Sequence, residues 1–245
     1  MADEYIMQMA SDLTELAEIL NNEGIETSQI YTISNQLNKK KNLGYKLLPF
    51  RMEIKDEDKF PKKLSHQKSS INLELFLDME IACDNENIFN GKDPFTLFSF
   101  NVVVKGKNKN NSSSKLLYAI HFDKHNITQS SNQAHPNYHF QFGGNRMRED
   151  ENYKSINLDF GQALFLDAPR VMHHPMELIL GMDFILSNFF PEIWNRIRSI
   201  RKYKKILKKY QKDFILPYFK SIVSHFEDTS YPWNAQDIYP QLIRG

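Results

Sequence analysis

Cysteine is nearly missing from this chain: Cys83 is the single thiol in 245 residues. One thiol excludes an intrachain disulfide framework, which fits a reducing compartment. Long hydrophobic runs are missing too. No stretch reaches the roughly 18 apolar residues of a membrane span. The longest, Leu178 to Phe190, is broken by Asp183, Ser187 and Asn188. The first residues are acidic (Asp3, Glu4) and lack a basic segment followed by an apolar one, so no targeting signal is expected. There is no P-loop lysine motif, no dinucleotide fingerprint, no HExxH and no serine elbow. These absences predict a soluble cytoplasmic protein with no membrane partner.

Net charge is also scarce, at +1. Near-neutrality alone argues against a polyanionic partner, but the average conceals a strong asymmetry. The segment from Arg196 to Lys212 carries Arg196, Arg198, Arg201, Lys202, Lys204, Lys205, Lys208, Lys209 and Lys212, with no acid. Subtracting those nine cations from +1 leaves −8 on the other 228 residues. The chain is an acidic body with one very basic element. In that element Ile197, Ile200, Tyr203, Leu207, Tyr210 and Phe214 recur every three or four residues, a narrow apolar stripe on a helix. A solvated helix face, a phosphate-backbone grip and an acidic partner surface all fit this pattern.

Hydrophobic residues make up 41% of the chain, which excludes a mainly disordered protein. Helical spacing over 5–21 predicts an N-terminal helix, and a second short helix is expected at Ser28–Leu37. Strands are expected at Tyr45–Ile54, Ile71–Cys83, 96–105, Leu116–Asp123 and Asn137–Phe142, with a further one at Ala163–Asp167. The Ile71–Cys83 segment has apolar residues at seven successive odd positions, the period of a half-buried strand. Lys105–Lys115 reads as a hairpin tip, and Gly143-Gly144 as a turn. Helices follow at 175–190, at 192–216 up to Pro217, and at 218–226. Strands joined by short turns, without helical crossovers, predict an α+β fold. The expected architecture is one domain, 1–245. Residues 1–70 supply helices and a loop, 71–170 an antiparallel sheet of about five strands, and 171–245 the helical segment.

Six of the eight histidines fall between residues 121 and 174: His121, His125, His135, His139, His173 and His174. On strands, His121 shares a face with Asp123, and His139 with Gln141. Tyr118, Ile120, Phe122, Tyr138, Phe140 and Phe142 point to the other, core side. The imidazoles then gather on one face if the strands pair. Pro175 suits a first helical position, which would place His173 and His174 at an anion-favouring helix N-terminus, near Arg170. Two imidazoles, a guanidinium and a helix N-terminus suit a phosphodiester. One His takes the 2′-hydroxyl proton and another protonates the leaving oxygen. Asp123 or Asp167 would orient a ring.

Metal binding is the competing reading. His135 and His139 on a strand lie about 13 Å apart at their α-carbons, too far for one ion. His121, Asp123 and His139 suit a metal better. The absence of Cys excludes a Cys-rich structural zinc site. The reading taken is metal-free and cofactor-free, with a metal-dependent hydrolase as the alternative.

The order Phe122-Asp123, then His135-Pro136-x-Tyr138-His139 and Gly143-Gly144, then Asp183-Phe184, resembles the core of prokaryotic ribonuclease-like toxins of the TumE kind. The likeness spans about residues 118–190. The segments HPNYHFQFGG and LDAPRVMHHPMELILGMDF also look like uncharacterised bacterial proteins of mobile or defence loci. The resemblance implies a nucleic-acid-acting effector of a toxin–antitoxin or antiviral system. The residues expected to carry chemistry are His121, His139, His174 and Arg170, with Asp123 as orienter and the basic helix holding RNA or DNA. Partners would include an antitoxin or other defence-complex subunits. The rival is a non-catalytic subunit of an anti-phage complex that binds through the basic helix.

Overall fold

The computed structural model describes residues 2–40, 42–54, 70–108, 111–124, 135–143 and 170–243. They form an α+β fold around one antiparallel sheet. Six strands follow each other in chain order: β1 (Gly44–Ile54), β2 (Ser70–Cys83), β3 (Phe95–Asn108), β4 (Asn111–Lys124), β5 (Tyr138–Phe142) and β6 (Val171–Met172). The sixth strand, only two residues long, has no counterpart among the expected ones. The strand expected at Ala163–Asp167 lies outside the described residues, as does Gly144.

Period-two alternation sets the two faces of this sheet. Leu75, Leu77, Met79 and Ile81 of β2 are buried. Register carries that apolar face sideways: Met79 lies opposite Phe100, Phe100 opposite Phe122, and Phe122 opposite Phe140. Helix α1 (Ala2–Asn22) buries Ile6, Met9, Leu13, Leu16 and Leu20, and α2 (Ser28–Leu37) packs beside it. A short α3 (Asn85–Asn90) bridges β2 and β3. Helix α4 (Leu178–Phe189) lies directly on the apolar sheet face. Its Phe184 ring meets Phe100 and Phe122 edge-on, at 6.2 and 5.1 Å between centroids.

The basic segment is not one helix. It divides into α5 (Pro191–Ile197), α6 (Arg201–Tyr210) and a π-helical turn (Gln211–Ile215), followed by α7 (Leu216–Phe226). The break falls where Ile200 turns extended (φ −72°, ψ 122°) and Ser199 Oγ donates to the Arg196 carbonyl at 2.7 Å. Pro217 does not end a helix. It lies inside a run that stays helical from Arg201 to Phe226, and the π turn just before it, where Leu216 N–H reaches the Gln211 carbonyl, accommodates its ring and missing N–H. Phe214, in that turn, stacks on Phe95 of β3 at 5.2 Å. A last helix, α8 (Ala235–Ile238), closes the described chain. No helix among the described residues is long and apolar enough to cross a membrane.

Candidate functional site

The sheet face turned away from the helices carries two polar rows. Asp78, Asn101, His121 and Gln141 stand side by side on β2, β3, β4 and β5. Two residues along, Glu80, Ser99, Asp123 and His139 form the next row. Asn101 ties the rows together, donating from Nδ2 to Asp78 Oδ1 at 2.9 Å and to Ser99 Oγ at 3.1 Å. Asn101, His139 and Gln141 are buried.

Asp123 is the centre of this face. Its Oδ1 lies 2.8 Å from His139 Nε2 on β5, and its Oδ2 lies 3.8 Å from His121 Nε2 on its own strand. The His135 ring stacks edge-on against His139 at 4.5 Å, and the His121 ring lies 6.2 Å from it. Burial works to raise the Asp123 pKa. The neighbouring His139, then His121 and His135, outweigh it and hold the carboxyl below its ordinary value.

The other expected members lie elsewhere. His173 packs on Phe122, 4.6 Å between centroids, and Phe122 points to the helix-covered face. His174 lies against His173 at 4.2 Å and Phe219 at 6.4 Å. The sheet therefore separates His174 from His121 and His139. Each ring Nδ1 contacts a nearby backbone carbonyl, His174 O at 2.7 Å and Pro175 O at 3.2 Å. Burial lowers both pKa values, that of His173 to about 4. Arg170 stands just before β6, whose Met172 pairs with His139. His125 and Asp167 lie outside the described residues.

Nor is the helix N-terminus open to an anion. Helix α4 starts at Leu178, not Pro175, because Glu177 caps it. The buried Glu177 carboxyl group accepts the N–H groups of Ile179 and Leu180 at 2.7 and 2.8 Å. It occupies the position a phosphate would take.

The cations also divide. Arg196 pairs with Glu23, just past α1, and Lys202 and Lys209 with Glu15 and Asp12 of α1, at 2.7, 2.8 and 2.8 Å. Arg198 stacks over Trp194 at 4.6 Å. Arg201, Lys204, Lys205 and Lys208 recur at i, i+3, i+4 and i+7 of α6, all exposed, with no ion pair among the described residues. Lys212, in the π turn, is exposed as well. Tyr203, Ile206, Leu207 and Tyr210 form the buried flank of the same helix.

Sequence reasoning missed Asp78, Asn101 and Glu177. The alternation Ser99-Phe100-Asn101-Val102 held a signal, since both polar residues fall on one face. It also missed Asp93, which receives Asn137 Nδ2 at 2.9 Å, Lys124 Nζ at 2.8 Å and the Tyr138 hydroxyl. Asp183, a carboxylate that needs a partner if it turns inward, finds neither Arg170 nor a histidine. It instead accepts from Trp194 Nε1 at 2.9 Å and Tyr203 Oη at 2.8 Å. Comparison with family models, curated proteins and solved structures finds no match to this chain.

Proposed function

We propose that this chain grips nucleic acid by its phosphate backbone through α6. The observation that carries the reading is the outward stripe of Arg201, Lys204, Lys205 and Lys208, paired with no acid among the described residues. Phosphate contacts need Lys and Arg but no base-edge geometry. The stripe is also held in place. Lys202 and Lys209 are anchored on α1, and the buried tyrosines fix the rotation of the helix. A preorganised cation row loses less entropy on binding than a floppy one.

Delivery of a strand along this helix to His121 and His139 has no support in the geometry. The stripe faces away from the sheet, and the His–Asp group lies on the sheet face opposite the helices. His139 is 3% exposed, with Nε2 against Asp123, so it has no open approach to a phosphodiester. Backbone binding therefore ranks above metal-free ribonuclease chemistry.

The test is fluorescence anisotropy with labelled RNA and duplex DNA over a salt series. Wild type should bind with affinity falling steeply as salt rises. The triple variant Lys204→Glu, Lys205→Glu, Lys208→Glu should bind at least tenfold more weakly. On duplex DNA its log–log salt slope should shrink by about 0.9 for each phosphate it no longer neutralises. Unchanged affinity in that variant overturns the reading. Binding of an acidic protein, with no nucleic-acid binding, assigns the stripe to a protein partner instead.

A further inference from the structure

We propose that His121, Asp123 and His139 bind one divalent transition-metal ion. Each residue offers one ligand atom, and the three atoms lie within 4.8 Å of one another. In a tetrahedral zinc site with bonds near 2.0–2.1 Å, ligand atoms stand about 3.3 Å apart. Closing on an ion thus takes side-chain shifts of about an ångström, within one rotamer well.

Position comes from the strands rather than from a loop. His121 and Asp123 are two residues apart on β4, hence on one face. His139 is the register partner of Asp123 on β5. Three ligands are fixed by two paired backbones, β4 and β5. This is the placement that keeps a site accurate.

A second observation points the same way. Oδ1 of Asp123 and Nδ1 of His139 are buried with no hydrogen-bond partner among the described residues. The 2.8 Å approach of His139 Nε2 to Oδ1 is too poorly aligned to supply a donor. A cation there would answer the carboxylate, and buried polar atoms left unanswered are costly.

Entry is open on one side. The Asp123 side chain is 39% exposed, while His121 is 14% and His139 3%. An ion reaching the carboxylate first would be caught by the two rings behind it. Two histidines and one carboxylate leave coordination positions vacant, unlike a closed four-ligand structural site. Water or an oxygen ligand would fill them. The inference does not depend on nucleic-acid binding by α6, which uses other residues on the other side of the molecule.

The full chain, stripped with chelator, should be titrated with Zn²⁺ by calorimetry and with Co²⁺ by visible absorption. One equivalent should bind, with Co²⁺ showing the ligand-field bands of nitrogen–oxygen coordination. The melting temperature should rise with metal concentration. Asp123→Asn and His121→Asn should each weaken binding at least tenfold. His174→Asn, on the other sheet face, should bind as wild type. If Asp123→Asn loses its circular-dichroism fold, His121→Asn decides alone. No binding by wild type, or wild-type binding by His121→Asn, overturns the proposal and leaves a plain His139–Asp123 ion pair.

Discussion

Gly181 of α4 faces Phe100 of β3 so closely that a β-carbon there would overlap the ring. The absence of a side chain is what lets α4 lie flat on the sheet, with Phe184 reaching Phe100 and Phe122 beyond it. Phe100 is fully buried and has no space to retreat into. Gly181→Ala should therefore destabilise the protein by about 1–3 kcal/mol through overpacking, despite the better helix propensity of alanine. Phe100→Leu in the same chain should recover part of that loss. Urea denaturation of the two single variants and the double variant forms the cycle that reads it. Additive losses would mean that the two residues do not press on each other.

This close approach marks where sequence reading stops. Alternation over Ile71–Cys83 and in the segments around His121 and His139 is a local property, and it assigned faces to single strands. Which residue of β5 lies beside Asp123 depends on register, set by turns and by packing across the whole sheet. The sequence grouped His139 with His121 and Asp123 by face, while the pairing of Asp123 with His139 rather than Gln141 is fixed by the register. Periodicity failed for β6, since two residues have no period. It misled at 192–216, where the apolar stripe continues in phase across the break at Ile200. Pro175 suggested a helix start by local preference, but a better acceptor, Glu177, stands two residues later. The clustering of six histidines was real in sequence and only half real in space, because β4 sends His121 and Phe122 to opposite faces and His173 followed Phe122.

The α1–α6 junction should show two ion pairs of very different weight. Lys202 and Glu15 pair in the open, with Lys202 69% exposed. Such a pair contributes little, typically under 1 kcal/mol. Asp12 is 8% exposed and receives both Lys209 Nζ at 2.8 Å and Tyr210 Oη at 2.9 Å. Asp12→Asn should thus cost on the order of 2–3 kcal/mol, and Glu15→Gln less than about 0.5 kcal/mol. Equal losses in chemical denaturation would contradict the difference in burial.

Glu177 should make the protein less stable as pH rises. Burial pushes its carboxyl up to about 8, against the N–H groups of Ile179 and Leu180 that favour the charged form. Its ordinary value is 4.5. Between those two values the folded chain holds a proton that the unfolded chain has released. Stability contributed by this group is thus full below about 4.5 and declines as pH climbs toward 8, by up to about 5 kcal/mol. Glu177→Gln cannot ionise and keeps one oxygen to cap α4. Its stability relative to wild type should rise over the same window, and a difference that stays constant with pH would remove Glu177 as the cause.

His173 should act at the acid end with the opposite sign. Burial first, then the neighbouring His174, holds its imidazole near 4, below the ordinary 6.5. The ring is pressed between Phe122 and Phe184, at 4.6 and 6.5 Å, where a charge has no compensation. From pH 6.5 down to 4 the unfolded chain takes up a proton that the folded chain refuses. Stability therefore falls as pH drops through that window, by up to about 3 kcal/mol. His173→Phe keeps a ring against Phe122 and removes the titration. The variant should lose the 2.7 Å hydrogen bond to the His174 carbonyl at all pH values, and so start lower at pH 7. Its deficit against wild type should nevertheless narrow as pH falls from 6.5 to 4, while His174, which burial shifts in the same direction, stays common to both proteins. Melting temperatures of both proteins at pH 4.5, 5.5 and 6.5 separate the two effects. An offset that stays constant with pH would mean that His173 only packs, while an offset that narrows toward acid identifies it as the group that refuses the proton.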